Sequence, residues 1–323
     1  MIGYLMISAS PANRREKRAV NRFGIIHYVK EEIVTTAEYY LLDVFTDQPF
    51  TGNPLAVFLE ADGLAASTMQ ALANELNLAE TVFLSSATEP NHYPMRIFTP
   101  TRELPFAGHP TVGTAHLLRE LDLVNREQGV VLHPSIGKLV VKYEQDRATF
   151  KTAQPAMITD STIDRTTAVE LLGLDIHQVK GDPVIASFGL PFHLIELTDV
   201  AALESVRIST TAWASAVMSS SAVQIYLYVI EQQGGAETVV HSRMFCMHSS
   251  ICEDPATGSA AAALTGYLAS LQPGTLHCKI HQGVEMGRPS VIHTAANGEV
   301  KPGLVTVGGN AKVVGKGEFY LER

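Results

Sequence analysis

The chain has 323 residues, of which 46% are hydrophobic and 18% charged, and its formal net charge is −9. This composition is typical of a globular protein and unlike that of a disordered chain. We do not expect a nucleic-acid partner, because binding to phosphates requires a positively charged face. An anionic ligand would have to be bound by local donors rather than by the field of the whole protein.

Cysteine usage and apolar runs indicate the compartment. The three cysteines Cys246, Cys252 and Cys278 fit reduced thiols in the cytoplasm better than a secreted disulfide framework, because their number is odd and the chain is long. No apolar run approaches the roughly 20 residues that cross a bilayer, so we expect no membrane partner. The first residues are apolar and then turn basic, the reverse of a secretory signal. We expect residues 1–36 to form a poorly ordered N-terminal extension.

The first predicted elements are a hairpin and a helix. The hairpin is indicated by the apolar runs Tyr40–Phe45 and Leu55–Leu59, which flank a stretch of turn residues. The helix is indicated by Ser67 and Gln70, which have the spacing of a capping box, and by apolar residues at helical spacing. A strand at Thr81–Leu84 should follow this helix.

Glu80 lies at the predicted junction of this helix and strand. Judged by position alone, a glutamate at a helix end is more often a solvated acid than a functional one. If apolar side chains such as Leu78 and Phe83 enclose it, desolvation would raise its pKa toward neutrality. A carboxyl group with such a pKa can both accept and donate a proton.

The order of predicted elements repeats in the second half of the chain. In each half a series of strands leads to a glycine, Gly108 or Gly258, that begins a short apolar helix. The repetition predicts two similar domains, 37–155 and 156–304, since a solenoid would show a much shorter period. The last residues, 305–323, should add strands that could complete either domain.

The two helix N-termini are candidate ligand-binding sites. Free backbone N–H groups and the positive end of the helix dipole bind carboxylates or phosphates. If the two halves face each other, both N-termini point into one cleft, where His109 and Asp254 could move protons. The alternative is that Gly108 and Gly258 only permit tight turns.

Six short motifs carry a resemblance to a known family. In chain order they are Asp43–Thr46 (DVFT), Gly52–Val57 (GNPLAV), Leu78–Thr81 (LAET), Phe106–Thr111 (FAGHPT), Glu253–Ala260 (EDPATGSA) and Gln282–Pro289 (QGVEMGRP). Together they resemble the phenazine biosynthesis PhzF-like proteins. The resemblance extends from about Tyr40 to the C-terminus and leaves only the N-terminal extension outside it.

The resemblance implies an α+β fold of two similar lobes of the diaminopimelate epimerase type. Each lobe would be a curled, mostly antiparallel or mixed sheet around a central helix, with the active site between the lobes and usually a homodimer. Related epimerases and racemases have a cysteine at each helix N-terminus, where this chain has Ala107 and Thr257. Neither residue can act as a thiol acid or base, so a two-thiol mechanism is excluded.

The resemblance also implies roles for particular residues. Glu80 would remove a proton from one carbon of the substrate and return it to another on the same face, assisted by His109 and Asp254. The implied substrate-binding residues are Gly108, Thr257, Gly258 and Ser259. The implied substrate is a small anionic metabolite that carries a carboxylate, and neither a cofactor nor a metal is expected.

Two competing signals are weaker. The stretch Gly309–Gly317 resembles a phosphate-binding loop, but it has one residue too many between its first glycines and Gly instead of Ser or Thr after Lys316. His277, Cys278 and His281 could ligate a metal, but no further ligand clusters near them in the sequence.

We therefore predict a cytoplasmic, cofactor-independent isomerase that uses Glu80 for general acid/base catalysis. Two alternatives stay open. The chain could be a non-catalytic protein that binds a small ligand on the same fold, or an epimerase with a non-thiol acid/base pair.

Overall fold

The computed structural model describes residues 17–20, 26–29, 35–144, 146–233, 237–247, 250–297 and 303–321. The contacts within the chain define two compact units. One unit comprises Glu38–Gly317, and the other comprises Met1–Ala37 with Glu318–Arg323. No helix among the described residues is long and apolar enough to cross a membrane.

The smaller unit contains a pair of antiparallel strands, β1 (Lys17–Val20) and β2 (Ile26–Val29). Most of the residues expected to form a poorly ordered extension, 1–36, lie outside the described part of the chain. Their order therefore stays a prediction.

The chain is a succession of short strands with a few helices, as an α+β protein requires. The other strands are β3 (Thr35–Val44), β4 (Asn53–Phe58), β5 (Glu80–Leu84), β6 (His92–Phe98), β7 (Glu103–Leu104), β8 (Val130–His133), β9 (Leu139–Glu144), β10 (Arg147–Lys151), β11 (Met157–Asp160), β12 (Val179–Ser187), β13 (Pro191–Leu197), β14 (Ile225–Gln232), β15 (Thr238–Met247), β16 (Ile251–Asp254), β17 (Thr275–Gln282), β18 (Ser290–Asn297), β19 (Val305–Gly309) and β20 (Ala311–Leu321). The helices are α1 (Ala66–Leu76), α2 (Gly108–Glu120), α3 (Arg165–Leu172), α4 (Val200–Ser205), α5 (Thr210–Ala212), which continues as a π-helix at Trp213–Val217, and α6 (Gly258–Ser270).

The order of strand pairings occurs twice. Strand β3 pairs antiparallel with β4, β4 parallel with β5, β5 antiparallel with β6, β6 parallel with β8, and β8 antiparallel with β9. The strands β12, β13, β14, β15, β17 and β18 repeat this alternation. Parallel neighbours require a crossover connection, and α2 and α6 lie in the corresponding crossovers of the two series. Strand β19 pairs with both β10 and β18 and so connects the two series.

Helices α2 and α6 are buried along most of their length. The first contacts β4, β5, β9 and β10, the second contacts β12, β13, β17 and β18, and both contact β19. Small residues permit these close contacts: a Cβ atom at Gly113 would lie 2.5 Å from Cδ2 of Leu55, and one at Gly266 would lie 2.8 Å from Cβ of Ala156. Both helices belong to one continuous hydrophobic core, to which they contribute residues such as Leu117 and Leu264.

A second hydrophobic core covers the other face of β13 and β14. Side chains alternate across a strand, so Leu194 faces the first core whereas Ile195 and Leu197 face the second. Helices α3 and α4 and the buried indole of Trp213 complete this second core. The sheet of the second half is therefore covered by helices on both faces.

The structure corrects two details of the predicted elements. Helix α1 begins at Ala66 with Ala65 as its N-cap and no side-chain capping bond, so the capping box of Ser67 and Gln70 is wrong. Gln70 instead donates from Nε2 to the Thr99 backbone oxygen at 2.9 Å. The Gln70 side chain, which the local sequence pattern assigned to the helix cap, thus forms a tertiary hydrogen bond instead. Several elements were also not predicted, among them helix α4 and strands β16, β17 and β18.

Candidate active site

Glu80 is the first residue of β5, which lies directly after α1. The C-cap of that helix is Asn77, whose left-handed backbone (φ 49°) turns the chain into the strand. Side chains alternate along β5, so Glu80 lies on the same face as Val82 and Leu84, both in the first hydrophobic core. The Glu80 side chain is only 19% exposed. A carboxyl group is therefore held at the edge of an apolar core.

The environment of Glu80 alters its proton affinity. Burial, together with the negative charge of Asp254, raises the pKa of Glu80 from 4.5 to about 8. The expected rise toward neutrality is confirmed, but one of its expected causes is wrong. Phe83 points to the opposite face of β5, where its ring stacks on Phe58 at 4.7 Å between centroids.

His109 is the second residue of α2 and its side chain is 6% exposed. Its Nδ1 atom lies 3.4 Å from Oε2 of Glu80. Burial lowers the pKa of His109 to about 3, although the backbone carbonyl of Pro54 opposes this shift. The imidazole is therefore neutral at physiological pH and carries one N–H that it can donate.

Asp254 is the last residue of β16 and is fixed by hydrogen bonds from both sides. Its Oδ1 accepts from Nδ2 of Asn53 at 3.0 Å, and its Oδ2 accepts a short hydrogen bond from the Thr257 hydroxyl. Burial raises the pKa of Asp254 to about 6, and the two hydrogen bonds oppose the rise. At neutral pH this carboxyl group is mostly ionised and has a fixed orientation.

A buried glutamine supports Asp254 from behind. Nε2 of Gln282 donates to the Asp254 backbone oxygen at 2.8 Å and to Oγ1 of Thr257 at 3.0 Å. Its Oε1 accepts from the Tyr226 hydroxyl at 3.2 Å and from the Thr257 backbone N–H at 3.3 Å. Both polar atoms of the Gln282 side-chain amide thus form hydrogen bonds with residues just before the start of α6.

The N-termini of α2 and α6 meet at their glycines. A Cβ atom added to Gly108 would lie 3.4 Å from Cα of Gly258 and 3.6 Å from the backbone nitrogen of Ser259. The N-cap residues are Ala107 and Thr257, and neither makes a side-chain capping bond. The first backbone N–H groups of each helix are then available to an anion, which the helix dipoles also favour.

A charged clamp joins the two halves beside this meeting point. Nη2 of Arg288 donates to Oδ1 of Asp43 at 2.5 Å and to the Thr51 backbone oxygen at 2.8 Å, and its Nε donates to the Gly52 backbone oxygen at 2.7 Å. The clamp fixes the loop that leads into β4, which begins at Asn53. The motif residues Asp43 and Arg288 are therefore bonded to each other, and Arg288 is also bonded to the backbone that precedes β4.

The structure brings together the three residues predicted to carry catalysis. Glu80 contacts His109 and interacts electrostatically with Asp254. The predicted substrate-binding residues lie at the adjoining helix N-termini: Gly108, Thr257, Gly258 and Ser259. The reasoning from sequence missed the functions of Asn53 and Gln282, although both lie in motifs that carried the family resemblance.

The two competing sequence signals lie elsewhere. The stretch Gly309–Gly317 runs through strands β19 and β20, which is not the strand-to-helix context of a phosphate-binding loop. Among the described residues, no group of three or more His, Cys, Asp or Glu side chains could hold a metal ion.

The arrangement contains the groups that general acid/base chemistry requires. It combines a carboxyl group with a pKa near neutrality, a neutral histidine, a fixed second carboxylate and two helix N-termini. General acid/base chemistry requires a group that exchanges its proton near the working pH. Comparisons with known proteins identify the chain as an isomerase and specify its family.

Residues 42–317 match the model of the family described as phenazine biosynthesis-like protein. An uncharacterised isomerase of Mesorhizobium japonicum is 35% identical over 88% of this chain and 99% of its own length. The trans-2,3-dihydro-3-hydroxyanthranilate isomerase of Pseudomonas chlororaphis is 33% identical over 88% of this chain and 99% of its own length. A PhzF-family protein of Bacillus anthracis has a similar fold, with a TM-score of 0.79 at 22% identity over 89% of this chain and 100% of that one. The chain belongs to the PhzF family.

Proposed function

We propose that the protein moves a proton within a small, carboxylate-bearing metabolite by general acid/base catalysis at Glu80, without a cofactor. The observation that carries the proposal is the position of Glu80. Its carboxyl group is buried at an apolar edge with a pKa of about 8, and it lies beside His109 and Asp254. A single group with this pKa can take a proton from one carbon and return it to another.

The proposed substrate orientation follows from the helix N-termini. The carboxylate of the metabolite would accept hydrogen bonds from backbone N–H groups at Gly108, Gly258 and Ser259. Thr257 would act mainly through its hydroxyl, which orients Asp254. The N–H of the neutral His109 imidazole would donate a hydrogen bond to Glu80 when Glu80 is ionised, and so stabilise the form that accepts the substrate proton.

We also propose that the site lies between two similar lobes, residues 37–155 and 156–304, with 305–323 completing the first. The repeated order of strand pairings supports this division, and α2 and α6 each lie against the strands of their own series as well as against β19. The expected homodimer and the expected cytoplasmic location stay predictions.

Proton exchange in deuterated water tests the proposal. The first probe is trans-2,3-dihydro-3-hydroxyanthranilate, the compound in the name of the Pseudomonas chlororaphis relative, followed by other small unsaturated carboxylates. We expect Glu80→Gln to reduce deuterium incorporation or double-bond migration at least about 100-fold while ligand binding persists. The matched control is Glu75→Gln, which changes an exposed glutamate on α1 and should leave the rate unchanged.

The outcome separates the proposal from its alternatives. If Glu80→Gln retains the wild-type rate, Glu80 is not the proton carrier. Ligands that bind without any exchange would favour a non-catalytic binding protein, and inversion of a stereocentre would favour an epimerase with a non-thiol acid/base pair.

A further inference from the structure

Two cysteines lie opposite each other next to the candidate active site. Cys246 in β15 and Cys252 in β16 are directly paired across the antiparallel ladder, and their sulfur atoms are 3.4 Å apart. Directly opposed residues in such a ladder have Cα atoms about 4.5–5.5 Å apart, which lies within the range that a disulfide spans. The bond would require the sulfur atoms to approach to about 2.0 Å, without a change of strand register.

The two thiols differ in their access to solvent. Cys246 is 7% exposed and belongs to the hydrophobic core. Cys252 is half-buried and lines a surface cavity of about 360 Å³. The lining also includes the ion pair of Arg243 with Glu253, whose Nη2 and Oε2 atoms are 2.8 Å apart. A small reagent can therefore reach Cys252 through this cavity, whereas Cys246 is accessible chiefly through its partner.

We propose that Cys246 and Cys252 form a reversible disulfide, and that the cavity beside Cys252 admits a peroxide as the oxidant. The Cys252 thiol ionises and its thiolate attacks one peroxide oxygen. The O–O bond breaks, and the departing hydroxide takes up the proton that the thiol released, so that a sulfenic acid and one water result. The sulfur of Cys246 then attacks the Cys252 sulfur. The S–O bond breaks, and the hydroxyl leaves with the Cys246 proton as a second water. The two thiols lose two electrons, and hydrogen peroxide is reduced to two molecules of water.

The disulfide would form close to the proposed proton-transfer site. Cys252 and Asp254 are two residues apart in β16 and share one face of the strand. Asp254 pairs with Met244 in the same ladder that joins the two cysteines. Drawing Cys252 toward Cys246 shifts the strand that carries Asp254, and a displacement of about 1 Å at a catalytic group can reduce a rate by up to about 100-fold. This effect on turnover rests on the proposed function, whereas formation of the disulfide does not.

Mass spectrometry after treatment of the full-length protein with hydrogen peroxide tests the proposal. We expect the intact mass to fall by two hydrogens, the linked peptides to contain Cys246 and Cys252, and dithiothreitol to restore both thiols. The matched control is Cys278→Ser, because Cys278 is buried beside Thr265 and Thr294 and should not affect the reaction. Both Cys246→Ser and Cys252→Ser should abolish the linkage. Cys252 is the more exposed of the two thiols, so Cys252→Ser should fold normally even if Cys246→Ser does not.

Each outcome decides one claim. Two alkylatable thiols at Cys246 and Cys252 after peroxide treatment, or oxidation of Cys252 only to sulfinic acid, would overturn the disulfide. If the disulfide forms, the exchange rate of the oxidised protein should fall about tenfold or more and recover on reduction. An unchanged rate with the disulfide in place would overturn the effect on Asp254 alone. Loss of exchange in the reduced protein would instead count against the proposed function.

Discussion

The two halves of the chain each place one carboxyl group, Glu80 or Asp254, in the candidate site, but the surroundings of the two groups differ. In the first half, Glu80 faces the neutral imidazole of His109 at 3.4 Å and lies against apolar side chains. In the second half, Asp254 accepts hydrogen bonds from Asn53 and Thr257 and is supported by Gln282. Hydrogen bonds to an ionised carboxylate favour the charged form, whereas burial favours the neutral one. The same scaffold therefore supplies one group that can exchange its proton and one that stays charged.

The largest expected effect concerns the free energy of unfolding of Glu80→Gln. The pKa of Glu80 is about 8 in the folded protein, compared with an ordinary value of 4.5. The folded state thus retains a proton that the unfolded state loses, so the stability associated with this group is present below pH 4.5 and is lost as pH rises through 8. Glutamine never ionises, so above pH 8 the variant should be more stable than wild type by on the order of 5 kcal/mol.

Denaturant unfolding at pH 5 and at pH 9 measures this difference, with Glu75→Gln as the control for an exposed glutamate. The control should change stability by less than about 0.5 kcal/mol at either pH. A Glu80→Gln variant that shows the same pH dependence as wild type would mean that Glu80 is not desolvated in the folded protein.

A smaller effect is expected for Asp254→Asn, which removes the charge but preserves the size of the side chain. We expect the rate of substrate proton exchange to fall about 100-fold. The negative charge of Asp254 contributes to the raised pKa of Glu80, so removing it should shift the acid limb of kcat/KM to lower pH. Burial is the larger cause, so the limb should stay above the ordinary pKa of a glutamate.

A pH profile of kcat/KM for wild type, Asp254→Asn and the exposed control Asp160→Asn measures this shift. The control should reproduce the wild-type profile. A limb that moves to higher pH in Asp254→Asn would contradict the electrostatic coupling of the two carboxyl groups.

Sequence patterns predicted the parts of this site that depend on neighbouring residues. The junction that places Glu80 follows from helical spacing succeeded by an apolar strand, and the helix starts at Gly108 and Gly258 follow from a glycine before an apolar run. The buried helices were also predictable, since small residues such as Gly113 permit close packing.

Contacts between distant residues were not predictable in this way. The hydrogen bond from Asn53 to Asp254 joins residues 201 positions apart, and the Arg288–Asp43 pair joins residues 245 positions apart. Neither contact produces a periodic pattern in the sequence, because the local structure of each segment does not depend on the other segment. The prediction that Phe83 encloses Glu80 was wrong for a different reason. Both residues lie in β5, where side chains alternate between the two faces, so Phe83 lies on the face opposite to Glu80.

The smallest expected effect concerns Gln282, which touches no reacting atom and acts by positioning Asp254 and Thr257. Gln282→Leu would leave the buried Thr257 backbone N–H without its acceptor. An unsatisfied buried group costs about 1–3 kcal/mol, so the melting temperature should fall. The exchange rate should fall about tenfold, less than for Asp254→Asn, because the carboxylate itself remains.

The decisive readout separates positioning from loss of stability. Oγ of Ser242 is the alternative acceptor for the single proton of the Tyr226 hydroxyl, at 2.9 Å, so Ser242→Ala perturbs the same buried cluster without contacting Asp254 or Thr257. If Gln282 positions the catalytic group, Gln282→Leu reduces kcat at temperatures well below unfolding, whereas Ser242→Ala reduces stability with kcat preserved. Of the two side chains, Gln282 is the one bonded to Asp254 and Thr257. Equal losses of kcat in both variants would therefore show that Gln282 acts through the stability of the core and not by positioning Asp254.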